Sequence, residues 1–170
     1  MTDTLFRGHV FRPPSSRRSW NNRYFIDTEF TGFEQPLLIS LAIVGENGYE
    51  FYGERSDFDA SLCSDFVRDV VLPQLGRFEG RAMPLDRLRK TLCAWLASIP
   101  AAGTPVLCYD QGVDVDLLCE LIGDPLPPGW KIEDIGGRVD AQRREAFFAR
   151  HGGEHHALYD ARANADAYDG

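Results

Sequence analysis

The sequence predicts an α/β domain in which a mixed sheet is covered by helices on both faces. Three observations carry this. The first apolar runs are short, rich in aromatic and β-branched residues, and two of them are joined by a tight turn. The apolar spacing then changes from strand-like to helical. Beyond that point strand-like and helical segments alternate to the C-terminus, in the order βββ-α-α-β-α-β-α-α, which sets further strands beside an antiparallel meander.

Tyr24-Phe25-Ile26 is the first strand, and ordered structure is expected from Arg23 onward. Leu37 to Val44 is apolar throughout, as a central strand buried on both faces requires. Glu46-Asn47-Gly48 supplies a hairpin turn, and Tyr49 to Tyr52 returns as the third strand. Phe66, Val67, Val70 and Val71 recur at helical spacing and stop near Pro73. A clearer stripe of Leu85, Leu88, Leu92, Trp95, Leu96 and Ile99 starts after Pro84 and is stopped by Pro100. Val106 to Tyr109 is a fourth strand, Val113 to Ile122 a helix ended by Gly123, and Asp124 to Gly129 a Pro-rich loop. Lys131 to Ile135 is a fifth strand, followed by helices over Val139 to Arg150 and Ala157 to Tyr168. In such sheets, sites gather at strand ends beside the topological switch.

Residues 1–22 read as a flexible basic arm outside the domain formed by 23–170. Pro13-Pro14 and Ser15-Ser16-Arg17-Arg18 lack periodicity, and residues 1–23 carry Arg7, Arg12, Arg17, Arg18 and Arg23 against Asp3. The arm could touch RNA phosphate or pack on a partner subunit. The formal net charge of −8 excludes indiscriminate electrostatic coating of nucleic acid. It does not exclude a nucleic-acid enzyme, because cations bound among acids reverse the local sign. Cys63, Cys93, Cys108 and Cys119 lie in apolar stretches without metal-ligand spacing, so buried free thiols are expected. No apolar run is long enough to span a bilayer, and a cytoplasmic protein without membrane contact is expected.

Chemistry concentrates in three acidic segments. Asp27-Thr28-Glu29 closes the first strand, and if the strand continues, both carboxylates point to one face. At about 4 Å and an effective dielectric near 20, two such charges repel by about 4 kcal/mol. Protonation or a cation must relieve that, and hard divalent ions suit oxygen ligands. Two independent acids at a solvated strand end are the other reading. In Asp110-Gln111-Gly112-Val113-Asp114-Val115-Asp116, a strand runs into a helix. Acids there also favour the helix N-terminus, so the choice among Asp110, Asp114 and Asp116 stays open on physics alone. In His155-His156-Ala157-Leu158-Tyr159-Asp160-Ala161, the preceding Gly152-Gly153 allows a sharp reversal. It sets His155 just outside a helix that carries Asp160 on its second turn. An imidazole there can take a proton from water at neutral pH, although two surface histidines would look the same.

Together these segments resemble the DEDDh exonucleases, which have a ribonuclease-H-like fold. Asp27 and Glu29 match the first motif; His155, Ala157, Leu158, Asp160 and Ala161 match the third. For the second, Val113-Asp114 with Leu117-Leu118 fits, while Asp110 stands where the family usually has Asn. Arg23 through Phe30, Val71-Leu72-Pro73 and His155 through Arg162 are most similar to the small bacterial exoribonuclease AS family, which acts on RNA 3′ ends and favours adenylate tracts. The resemblance implies a ribonuclease-H-like mixed five-stranded sheet and two divalent cations, Mg²⁺ or Mn²⁺. Asp27, Glu29 and Asp160 would hold one ion, Asp27 and Asp114 the other, with His155 as general base. It implies 3′–5′ hydrolysis of single-stranded RNA to nucleoside 5′-monophosphates, by a homodimer or higher homo-oligomer. Phe30, next to the acidic pair, is a candidate platform for the terminal base, with a core aromatic as the alternative. A DNA 3′–5′ exonuclease and a silent nucleic-acid-binding module of the same fold are the competing functions.

Overall fold

The computed structural model describes residues 22–100, 103–123 and 126–170. The expected arm, apart from Asn22, and Asp124 and Pro125 of the expected Pro-rich loop lie outside the described residues.

The sheet is built outward from β1 (Arg23–Phe30), which does run through the acidic pair. β2 (Leu38–Gly45) lies antiparallel to β1, and β3 (Glu50–Arg55) antiparallel to β2, joined by the turn at 46–48. All eight residues of β2 are buried, as its unbroken apolar run requires. β4 (Ala82–Met83) then pairs parallel with β3 at the edge, and α1 (Leu85–Ser98) follows. β5 (Val106–Tyr109) returns to the opposite side of β1 and runs parallel to it. After α2 (Gly112–Ile122), β6 (Lys131–Asp134) pairs parallel with β5. α3 (Ala141–His151) and α4 (Ala157–Ala167) close the chain. The strand order is β4-β3-β2-β1-β5-β6, so β1 and β5 flank the topological switch.

Side-chain alternation along β1 distributes its residues between two layers. Tyr24 and Ile26 join a cluster with Leu88, Leu92, Trp95 and Leu96 of α1 and Leu117, Leu118 and Leu121 of α2. Phe25 faces the other layer and packs edge-on against Tyr168 at the end of α4, ring centroids 5.5 Å apart. Helices therefore cover both faces, the arrangement of a ribonuclease-H-like fold. Asp27 and Glu29, two and four residues further along, share the face of Phe25 and so point toward α4.

The structure corrects several expectations. The sheet has six strands rather than five, because the two-residue β4 is too short to leave a periodic signal. The segment at 66–73 is not a regular α-helix. Val67–Val71 forms a wide π turn, closed by Leu72 N–H on the Val67 carbonyl, and Leu72–Gln74 a 3₁₀ turn. Only Val67 and Val71 of the apolar set are buried there, while Phe66 is half exposed. Cys93 is exposed rather than buried, since Leu88, Leu92, Trp95 and Leu96 define the inward face of α1 and residue 93 falls off it. Among the described residues no helix is long and apolar enough to cross a membrane.

Candidate metal centre

The carboxylates converge because three elements end at one place. Asp27 and Glu29 sit toward the C-terminal end of β1, Asp110 directly follows the parallel β5, and Asp114 lies in the first turn of α2. Asp160, in the first turn of α4, comes down onto the same edge. Ligand oxygens of Asp27, Glu29 and Asp160 all lie within 4.8 Å of one another, and so do those of Asp27, Asp110 and Asp114. Asp27 belongs to both sets.

Neither Asp114 nor Asp110 serves as a helix cap. The N-cap of α2 is Gln111, whose side chain makes no capping bond. Asp114 instead reaches to β1, where its Oδ1 accepts from Thr28 N–H (3.0 Å) and Thr28 Oγ1 (2.7 Å). Its Oδ2 is buried with no partner among the described residues, and so is Asp110 Oδ1. Asp160 is tied at both oxygens, Oδ1 accepting from Arg144 Nη2 at 3.0 Å and Oδ2 from the His156 backbone N–H at 2.8 Å.

Burial of so many acids holds protons on them. Asp27 is raised well above the ordinary carboxylate range by burial first, then by Asp160, Asp114, Glu29 and Asp110. Glu29 is pushed up to about 8 by burial and by Asp160 and Asp114. Asp114 and Asp160 rise to about 7, also chiefly by burial; hydrogen bonds from Thr28 oppose the rise in the first, Arg144 in the second.

A divalent cation fits this chemistry. The donors are all hard oxygens, two buried oxygens lack partners among the described residues, and a cation removes the repulsion that burial intensifies. Two oxygens on an octahedral ion at about 2.1 Å lie about 3.0 Å apart when adjacent and about 4.2 Å when opposite. Sets already within 4.8 Å need only small adjustments to close on an ion.

His155 and His156 separate sharply. His155 is half buried, with φ of 62°, a left-handed backbone that costs a non-glycine residue about 1–3 kcal/mol. Gln74 Nε2 secures this turn by donating to the Glu154 and His155 carbonyls at 2.6 and 3.1 Å. The His155 ring stands edge-on to Phe66 at 5.0 Å. Gly153 is required just before it, since φ is 81° and a Cβ would collide with the Tyr159 ring. His156 is buried and caps α4, its Nδ1 accepting from Leu158 N–H at 3.2 Å. Burial, helped by Arg77, holds its ring down to about 4, so it is neutral at physiological pH.

Sequence reasoning placed Asp27, Glu29, Asp114 and Asp160 among the ligands, and the structure brings all four together. It ranked Asp110 below Asp114, yet Asp110 joins the same cluster; the signal was its place directly after a strand parallel to β1. Arg144 carried no motif and emerges only from the packing of α3 on α4. Asp116 is exposed and belongs to neither ligand set. Phe30 is partly buried against the core and meets Phe33 edge-on at 5.1 Å; Phe33, 79% exposed, is the more open ring.

No family model matches the chain. Over 54 residues, 31% of its length, the chain is 43% identical to proteins named 3′–5′ exoribonuclease from Mycobacterium tuberculosis strains CDC 1551 / Oshkosh and ATCC 25618 / H37Rv. The matched stretch spans 32% of the length of each of those relatives.

Proposed function

We propose that this chain is a metal-dependent 3′–5′ exonuclease of the DEDDh kind, removing nucleotides from the 3′ end of single-stranded RNA and releasing nucleoside 5′-monophosphates. The observation that carries the reading is the pair of oxygen ligand sets sharing Asp27. Asp27, Glu29 and Asp160 would hold one Mg²⁺ or Mn²⁺ ion. Asp27 and Asp114, joined by Asp110, would hold the second. A pair of such ions supplies an activated water and neutralises charge on the attacking and leaving oxygens of an in-line displacement.

The chain's own residues do the rest. Asp27 couples the two halves of the site, because among the described residues it alone belongs to both sets. Thr28 fixes one oxygen of Asp114 through two bonds and leaves the other with no donor among the described residues. Arg144 sets a cation at the edge of the cluster, where an anionic phosphodiester must arrive. His155 takes the proton from the attacking water. It is suited to that by standing on a turn outside α4, secured by Gln74, rather than within the hydrogen-bonded cap. The Phe30–Phe33 pair offers aromatic surface beside Glu29 on which an unpaired base can stack. The preference for RNA over DNA is supported by the activity named for the mycobacterial relatives.

A 5′-labelled single-stranded RNA incubated with Mn²⁺ or Mg²⁺ tests the proposal, with a chelator control and a matched DNA strand. A ladder that shortens from the 3′ end only with metal, faster on RNA, is the expected result. Equal or faster loss of DNA would move the substrate class. No cleavage of either strand by folded, metal-bound protein would replace the enzyme with a binding module.

A further inference from the structure

His156 is the member of the histidine pair to which the proposed reaction gives no task, yet it is among the most thoroughly bonded side chains beside the site. Its Nδ1 accepts from Leu158 N–H, so the neutral ring carries its proton on Nε2. That nitrogen faces Tyr52 Oη at 3.2 Å, the two rings stacked with centroids 4.9 Å apart. Tyr52 Oη in turn donates to Glu54 Oε1 at 2.7 Å. Glu54 is buried, and both its oxygens accept from Gly76 N–H at 3.0 Å. Phe78 closes the assembly, its ring 5.5 Å from Tyr52 and 5.7 Å from His156. The 74–78 segment thus grips the pair from both sides: Gln74 holds the His155 carbonyl, while Gly76 and Phe78 hold the groups behind His156.

The register of the sheet connects this assembly to the metal centre. Asp27, Ala42 and Tyr52 stand opposite one another across β1, β2 and β3, as do Glu29, Ser40 and Glu54. Directly opposed residues share a face of the sheet, so Tyr52 and Glu54 lie in the same two rows as the ligands, two strands away. At the other end, the His156 backbone N–H donates to Asp160 Oδ2.

We propose that Glu54, Tyr52 and His156 form a buried positioning relay that sets the N-terminus of α4, and through it the place of Asp160 and the left-handed turn of His155. Its side chains touch neither metal nor substrate. The relay rests on the reading of Asp160 as a metal ligand.

Tyr52→Phe keeps the ring and cuts both bonds of the hydroxyl. In chelator, amide exchange of His156 and Leu158 followed by NMR should speed up roughly tenfold or more, beyond any change in the sheet. The Mn²⁺ concentration for half-maximal RNA cleavage should rise about 10–100-fold, with kcat largely recovered at saturating metal. His156→Asn keeps a capping oxygen but is too short to reach Tyr52, and should raise the metal requirement as much. The double variant should be no worse than either single one. Leu92→Val on α1, a general destabilisation, should leave the metal requirement alone. Unchanged exchange at His156 in Tyr52→Phe would overturn the relay, and that reading stands whether or not the protein proves to cleave RNA. A wild-type metal requirement in His156→Asn would reduce His156 to a helix cap and overturn the positioning role.

Discussion

Stripping divalent ions and raising the pH should destabilise this fold, by an amount that follows from its buried acids. Glu29 titrates at about 8 and Asp27 well above the ordinary range, whereas in the unfolded chain both ionise near pH 4. Between about pH 6.5 and pH 8 the folded state keeps protons that the unfolded chain has already lost, so stability falls with pH by about 1.4 kcal/mol per unit for each. Glu29 thus removes roughly 2 kcal/mol across that interval, and Asp27 acts in the same direction. Asp114 and Asp160, at about 7, release theirs within it and add less. Because all four share one repulsion, a total of about 2–4 kcal/mol is expected, or about 5–15 °C in Tm for a chain of this length. The interval begins at about pH 6.5 because His156, held down to about 4, acts with the opposite sign below it. There the unfolded chain binds the extra proton on this one side chain, whose contribution rises with pH and offsets part of the fall from the acids. Thermal unfolding in chelator at both pH values measures the fall. Added Mn²⁺ should reverse it, raising Tm more at the higher pH, where it no longer competes with protons. Asp27→Asn, of equal size but uncharged, should flatten the fall and lose most of the Mn²⁺ effect. A metal-free Tm that stays level or rises over this interval, or an Mn²⁺ increment no larger at the higher pH, would refute the argument that repulsion among these acids is what a cation relieves.

Four substitutions probe individual roles. Asp114→Ala should lower RNA cleavage at least about a thousandfold, about 4 kcal/mol of transition-state stabilisation, whereas Asp116→Ala, exposed on α2, should stay within about threefold. The reverse order in a cleavage assay would move the second ligand by two residues. His155→Ala should lower kcat by about 10²–10⁴ while calorimetry finds Mn²⁺ affinity unchanged; lost metal binding would exclude the general-base role. Phe30→Ala should raise KM for single-stranded RNA by about 5–150-fold, the equivalent of about 1–3 kcal/mol of base stacking. A KM that stays put while Tm falls would assign the ring to the core it already touches.

Much of the fold could be read from the chain because its long elements carry unambiguous periods. The stripe of α1 and the unbroken apolar run of β2 each admit one solution. The failures sit where local pattern is silent. Ala82–Met83 becomes a strand only because β3 offers a free edge beside it. Phe66 and Val70 share a helical spacing with Val67 and Val71, but the π turn widens the backbone and turns Phe66 outward toward His155.

The acidic site was legible to a different degree at each ligand, for a physical reason. Asp27 and Glu29 could be paired by strand alternation alone, since two residues along one strand always share a face. Asp110, Asp114 and Asp116 could not be ranked that way, because an acid entering a helix is favourable whether or not it binds anything. What separates them is tertiary. Asp114 turns inward because Thr28, the residue between the two first-motif acids, offers both its N–H and its hydroxyl. Asp110 is drawn in because β5 runs parallel to β1 and ends at the same edge. Asp116 points away on the next turn. A partner on one strand thus selects a ligand on a helix far along the chain. That choice is made at the switch in chain order between β1 and β5, which also gathers the charge that bound cations would neutralise.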